Sequence, residues 1–339
     1  MQSDLAIDLG SSNTRIFVEN KGIQVDEPSV ITVNVDEETV IAVGKEAYQM
    51  LGRTPDRKIA AYPITGGVIS DFAMVEAMLK TFLKRVTRSS IGMPKAVICV
   101  PKGITEVEKA ALVNLISSSG IRKVCIIEEP VAAAMGAGTD ISSPHGSLIV
   151  NIGGGTTQIA VISLGGISVS RSARNAGNSM DEDIIKYIKK TYNMLIGRRT
   201  AENAKIQAGS VISGSVPGTY PIKGKCLVTG LPIKVDIDAE ELVAPLRKTA
   251  DLIISQIQDI LVETPPELLA DIYTDGLTLT GGTANLTGIA DLIHEQTGLK
   301  VNTAAQPESC VIKGCGEAIK YIDSKPSKKG GINPIIERY

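Results

Sequence analysis

Tryptophan is missing from this sequence, and aromatic residues make up only 3% of it. With a formal net charge of −2, the chain has neither the stacking surfaces nor the basic field that hold nucleic acid, and no nucleic-acid partner is expected. Histidine is almost as scarce, His145 and His294 being the whole supply. The five cysteines, Cys99, Cys125, Cys226, Cys310 and Cys315, are scattered without a CxxC pair. A zinc site is therefore excluded, and thiols kept reduced in a cytoplasm are expected. No apolar run reaches the roughly 18 residues that a membrane-spanning helix needs. Residues Met1 to Asp4 run straight into an apolar strand pattern, so no secretory leader, with its charged and apolar regions, is expected.

At 339 residues and 43% apolar composition, the chain can fill two cores rather than one, and two halves around a cleft are expected. An internal echo supports that division. Residues 5–18 (LAIDLGSSNTRIFV) overlay residues 148–161 (LIVNIGGGTTQIAV) at a constant offset. Each copy reads as strand, tight turn, strand. The flanks are β-rich and apolar, while the turns consist of Gly, Ser, Thr and Asn, which tolerate positive φ and let backbone N–H groups converge on an anion. One glycine-rich turn is commonly no more than a turn. Two of them can hold one polyphosphate between them.

Each echo opens a run of strands and helices, as in a duplicated α/β domain folded face to face. In the first half Asp71 is placed to cap a helix with Val75, Met78, Leu79, Phe82, Leu83 and Val86 on one face. A short buried strand at 96–100 follows, then a capping box at Thr105 and Glu108 and a helix stopping at Gly120. Strand 124–127 leads into Glu128, Glu129 and Pro130. In the second half Ser179 and Glu182 read as another capping box, with Ile184, Ile185, Ile188 and Leu195 as the buried stripe, and a small helix spans about 200–207. A strand at 277–280 runs into Gly281 and Gly282, and the last helix crosses back to the first half. The expected division is a first core subdomain (1–31, 62–146 and 311–322) with a small peripheral one (32–61), and a second core subdomain (147–178 and 239–310) with its peripheral one (179–238). Residues 323–339 read as a mobile tail.

Several further segments carry a resemblance: 27–30 (EPSV), 50–55 (MLGRTP), 67–72 (GVISDF), 100–108 (VPKGITEVE), 127–134 (IEEPVAAA), 160–166 (AVISLGG), 263–268 (ETPPEL) and 279–282 (LTGG). With them the chain resembles the actin, Hsp70 and sugar-kinase superfamily and, within it, the MreB/Mbl family of bacterial actins over nearly its full length. The resemblance implies an α/β, actin-like fold: duplicated ribonuclease-H-like domains flanking a nucleotide cleft, each with a small peripheral subdomain.

It also implies roles. Asp8 would orient Mg2+ through water, where an unremarkable turn aspartate would only satisfy the turn's own amides. Ser11, Ser12 and Asn13 would cradle phosphate from one side, and Gly153, Gly154, Gly155 and Thr156 from the other. Glu129 would activate the water that attacks the γ-phosphate, helped by Thr156; the alternative is a solvated carboxylate at a strand end, the reading given to Glu128. Glu202 and Lys205 are by spacing a surface ion pair, and by resemblance they flank ribose and adenine. Gly281, Gly282, Thr283 and Ala284 join a strand to a helix beginning near Asn285, which either brings backbone close to the nucleotide or is a structural joint alone.

Some positions depart from the family's pattern. Asn151 stands in place of the usual Asp, Gln158 of Glu, Asn178 of Asp, Gln207 of Glu, and Thr283 of a third glycine. Asn151 matters most, as a weakened metal position: a charged hydrogen bond is worth roughly 1.5–3 kcal/mol and a neutral one about 1, a loss of roughly 0.5–2 kcal/mol. The resemblance implies an ATP-dependent filament, with ATP/ADP and Mg2+ as cofactors, that organises cell-wall synthesis and maintains rod shape, and a slow ATPase coupled to polymerisation. Its partners would be further copies of itself, head to tail in paired protofilaments, and membrane proteins of cell-wall elongation. It would be cytoplasmic, with peripheral contact at the inner face of the cell membrane. Ile91 and Met93 in the loop 89–94 offer a small apolar insertion or form an ordinary loop. Two other readings stay open: a nucleotide-binding scaffold with little or no hydrolysis, which Asn151 allows, and a soluble actin-fold ATPase or kinase.

Overall fold

The computed structural model describes residues 3–87, 93–323 and 337–338. In it the sequence echo is an identity of register. Strand Leu5–Leu9 pairs antiparallel with Asn13–Val18, Leu5 facing Val18 and Leu9 facing Thr14. Strand Ser147–Ile152 pairs likewise with Thr157–Ser163, Leu148 facing Val161 and Ile152 facing Thr157. The turn bond repeats as well: Gly10 N–H donates to Asn13 O at 3.1 Å, and Gly153 N–H to Thr156 O at 2.9 Å.

The sheets grown from these hairpins share one strand order. The first runs Gly22–Pro28, Asn13–Val18, Leu5–Leu9, Lys95–Val100, Lys123–Glu128, with Lys95–Val100 and Lys123–Glu128 parallel to Leu5–Leu9. The second runs Gly166–Ala173, Thr157–Ser163, Ser147–Ile152, Leu277–Thr280, Val301–Thr303, with Leu277–Thr280 and Val301–Thr303 parallel to Ser147–Ile152. A three-strand meander followed by two crossover strands is thus built twice. The first sheet carries an added edge strand, Glu337–Arg338, antiparallel to Lys123–Glu128. Those two residues fall within the expected tail; the rest of it beyond Asp323, and Ile91 of the loop 89–94, lie outside the described residues.

Local signals set the helices of the first half. Met74 N–H donates to Asp71 Oδ1 at 2.9 Å, and helix Phe72–Thr87 buries Val75, Met78, Leu79, Phe82 and Leu83 against the sheet. The capping box of Thr105 and Glu108 opens helix Glu106–Ser118. Ser179, in contrast, caps nothing. Helix Gly177–Tyr192 begins before it, and its hydroxyl donates to Arg174 O at 3.0 Å. The first N–H groups of this helix go to the second turn instead, Gly177 to Gly153 O at 3.2 Å and Asn178 to Gly154 O at 2.8 Å. Leu195 also leaves the expected buried stripe. Asn193, at φ 48, ends the helix in the left-handed region, so Leu195 falls on the short strand Met194–Leu195 and is exposed.

Between the sheets lie helices Glu129–Gly136 and Cys310–Ala318, packed against each other. A Cβ on Gly136 would stand 1.8 Å from Cys310 O, and one on Gly314 1.8 Å from Ala132 O, so the backbones touch. Ala6 and Val97 from the first sheet and Ile149 and Ala160 from the second pack into this central cluster. Two three-stranded sheets lie outside. In one, Ile31–Asn34 runs between Thr39–Val43 and Lys58–Ala61, with helix Lys45–Met50 beside them; in the other, Thr219–Cys226 runs between Met194–Leu195 and Pro232–Asp238, with helix Arg198–Ala208 beside them. Among the described residues no helix is long and apolar enough to cross a membrane.

Candidate functional site

A cleft of about 390 Å³ opens where the two hairpin turns face each other. Of the site residues expected from the sequence, all line it except Ala284, which is buried outside the lining. The turns interlock. A Cβ on Gly154 would stand 1.9 Å from Ser12 Oγ, and one on Gly155 2.3 Å from Ser11 Oγ. Only glycines allow the serines of one turn to lie against the backbone of the other. Ser12 Oγ donates to Asn178 Oδ1 at 3.3 Å, and Ser11 Oγ accepts from Gly67 N–H at 2.9 Å.

Gly281 to Ala284 do not open directly into a helix. Gly282–Asn285 is a 3-10 turn, and the next helix is Ile289–Thr297. The joint is tight all the same: Gly281 has φ +88, and a Cβ there would lie 2.2 Å from Ile152 O. Thr283 Oγ donates to Gly153 O at 2.9 Å, which ties this joint to the second phosphate turn.

Asp8, Glu129 and Asn151 gather at the lining of the cleft. Asn151 is only 2% exposed; its Nδ2 donates to Glu129 Oε1 at 2.7 Å, and its Oδ1 accepts from the Thr280 hydroxyl at 3.0 Å. Burial, reinforced by the charge of Asp8, pushes the Glu129 carboxyl up to about 8, against the pull of the Asn151 amide. Burial also raises Asp8, opposed by Arg15, whose Nη1 lies 3.8 Å from Asp8 Oδ2. The Cys99 thiol donates to Asp8 Oδ1 at 3.4 Å. Glu128 takes no part, pairing with Lys102 at 2.6 Å.

Arg15 was not foreseen in the sequence. The signal was there: the register that sets position 158 opposite 151 sets Arg15 opposite Asp8. The pairing of Glu202 with Lys205 read from their spacing is not made. Lys205 Nζ bonds Asp181 Oδ1 and Gly177 O, each at 2.7 Å, and Glu202 Oε2 accepts from the Tyr48 hydroxyl at 2.7 Å. Asp181 is 1% exposed, and burial outweighs the Lys205 charge to push its carboxyl up to about 6. Two opposed glycine turns, one ammonium and a buried carboxylate group together suit a polyphosphate and a reacting water.

The sequence model described as MreB/Mbl protein matches residues 2–327. The cell shape-determining protein Mbl of Bacillus cereus is 43% identical over 326 residues, 96% of this chain and 98% of that one. The cell shape-determining protein MreB of Escherichia coli is 42% identical over 327 residues, 95% of this chain and 94% of that one. The crystal structure of MreB5 of Spiroplasma citri bound to ADP has a TM-score of 0.91 to this chain at 36% identity, covering 95% of this chain and 97% of that one. With a duplicated sheet of actin type and likeness over nearly its whole length, the chain belongs to the MreB/Mbl protein family.

Proposed function

We propose that the chain is an ATP-dependent, filament-forming bacterial actin that organises cell-wall synthesis and maintains rod shape. The observation that carries this reading is the pair of interlocked turns, built in identical register from both halves and meeting in one cleft. Ser11, Ser12 and Asn13 on one side and Gly153, Gly154, Gly155 and Thr156 on the other would hold the phosphates. Glu202 and Lys205 would hold the sugar end, with Gly281, Gly282, Thr283 and Ala284 as the joint beside it.

Among the described residues no three His, Cys, Asp or Glu side chains cluster as a metal cage. Asp8 at the cleft wall instead fits Mg2+ held chiefly by phosphates and water. Such an ion would neutralise phosphate charge. Glu129, when ionised, takes a proton from the attacking water, and Asn151 holds its carboxylate in place. Subunits add head to tail, a heterologous contact that does not close. Paired protofilaments, elongation partners in the membrane and a place at its inner face belong to the same proposal, with exposed Met93 near the contact.

Sedimentation with ATP or ADP, run alongside phosphate release, tests this. Pelleting with ATP and slow phosphate release are expected. A chain that stays soluble at high concentration with either nucleotide is no filament protein. Pelleting without phosphate release supports the scaffold reading, which Glu129 favours by holding its proton near neutral pH.

A further inference from the structure

One outlying sheet reaches the cleft through a contact the proposed function does not use. Tyr48, on helix Lys45–Met50, donates its hydroxyl to Glu202 Oε2 at 2.7 Å. Glu202 lines the cleft from helix Arg198–Ala208 of the other outlying unit, so the bond crosses between the two units. Two cations on the same helix strengthen the crossing: Arg199 lies 5.0 Å from the centroid of the Tyr48 ring, and Arg198 4.4 Å from that of Tyr62. Both tyrosines pack on the small apolar core of Val30, Ala42 and Ala47. One unit therefore fixes the rings, and a single helix of the other carries everything that grips them. Among the described residues no other side-chain hydrogen bond or ion pair joins these units.

Tyr48 takes one carboxylate oxygen of Glu202 and leaves the other for a ligand hydroxyl. We infer that Tyr48 is a positioning residue for the nucleotide: it holds Glu202 at the cleft wall and, with Tyr62, Arg198 and Arg199, clasps the two outlying units over a bound nucleoside di- or triphosphate. This rests on the nucleotide-binding reading. A ligand leaving the cleft must first undo the clasp, so the contact governs release more than capture.

Tyr48→Phe keeps the ring and its contact with Arg199 and removes only the hydroxyl. Release of a fluorescent ADP analogue into excess ADP is timed for both chains. In the nucleotide-free chains, amide hydrogen exchange is read over Lys45–Met50 and Arg198–Ala208. Release about tenfold faster is expected, the effect of losing one hydrogen bond to a charged group. Association should change less than about twofold, and both helices should exchange faster. The double variant Arg198→Ala, Arg199→Ala should release faster as well. Equal release and equal exchange in Tyr48→Phe would overturn the clasp. If the wild-type chain binds no ADP, the nucleotide reading fails separately and the exchange comparison decides: faster exchange supports the clasp, and unchanged exchange overturns it.

Discussion

Asn151 Nδ2 donates to Glu129 Oε1 across 2.7 Å, so an uncharged amide supplies a donor to the candidate water-activating group. An aspartate there would set two carboxylates against each other. Asn151→Asp is expected to destabilise the nucleotide-free chain increasingly above about pH 8, where both groups ionise. Thermal unfolding of both chains from about pH 6 to 9 checks this. A deficit that does not change with pH would count against the contact.

The raised carboxyl of Glu129 makes a second, signed prediction. It titrates near 8 when folded and near 4.5 when unfolded, so the native chain binds this proton more tightly. That stabilisation is whole below about pH 4.5 and fades as pH climbs towards 8. Glu129→Gln should therefore gain stability over wild type progressively across that window and level off above it. Asp8, also raised by burial, leaves a residual slope of the same sign in the variant. The variant should bind ADP and release no phosphate above background; undiminished release would remove Glu129 from its assigned role.

Gly154→Ala tests the interlocking of the turns. Its methyl group would stand 1.9 Å from Ser12 Oγ and 2.8 Å from Ser12 Cβ. Overpacking of this kind costs about 1–3 kcal/mol, and the displaced turn should weaken ADP binding more than tenfold by calorimetric titration. Ser12→Gly in the same chain removes both offending atoms and should restore part of the loss. No recovery would place the damage elsewhere.

Gly314→Ala drives a methyl group into Ala132 O at 1.8 Å and has no flexible side chain to displace. A loss of at least about 3 kcal/mol is expected in denaturant unfolding, at the upper end for overpacking because both contacting groups are backbone. A loss under about 1 kcal/mol would mean that the helices part easily.

The features legible in the sequence are those set by neighbours in the chain. The two hairpins were readable because antiparallel pairing around a short turn is local, and so were the caps at Asp71, Thr105 and Glu108. Ser179 misled because a neighbouring turn, not a side chain, receives the N–H groups of its helix. Lys205 found Asp181 in place of Glu202 because tertiary packing offered a closer carboxylate. Nothing local announces Tyr48, which stands 154 residues from Glu202.

The contact of Gly136 with Gly314 stiffens the centre of the fold. Backbones that touch with no side chain between them leave no slack for sliding or tilting, so the two helices act as one rigid block. Both helices fall within the first core subdomain of the expected division, and Ile149 and Ala160 of the second sheet pack onto the cluster they form. A cleft that opens would have to break the single Tyr48–Glu202 bond between the outlying units while the backbone contact at Gly314 stays intact.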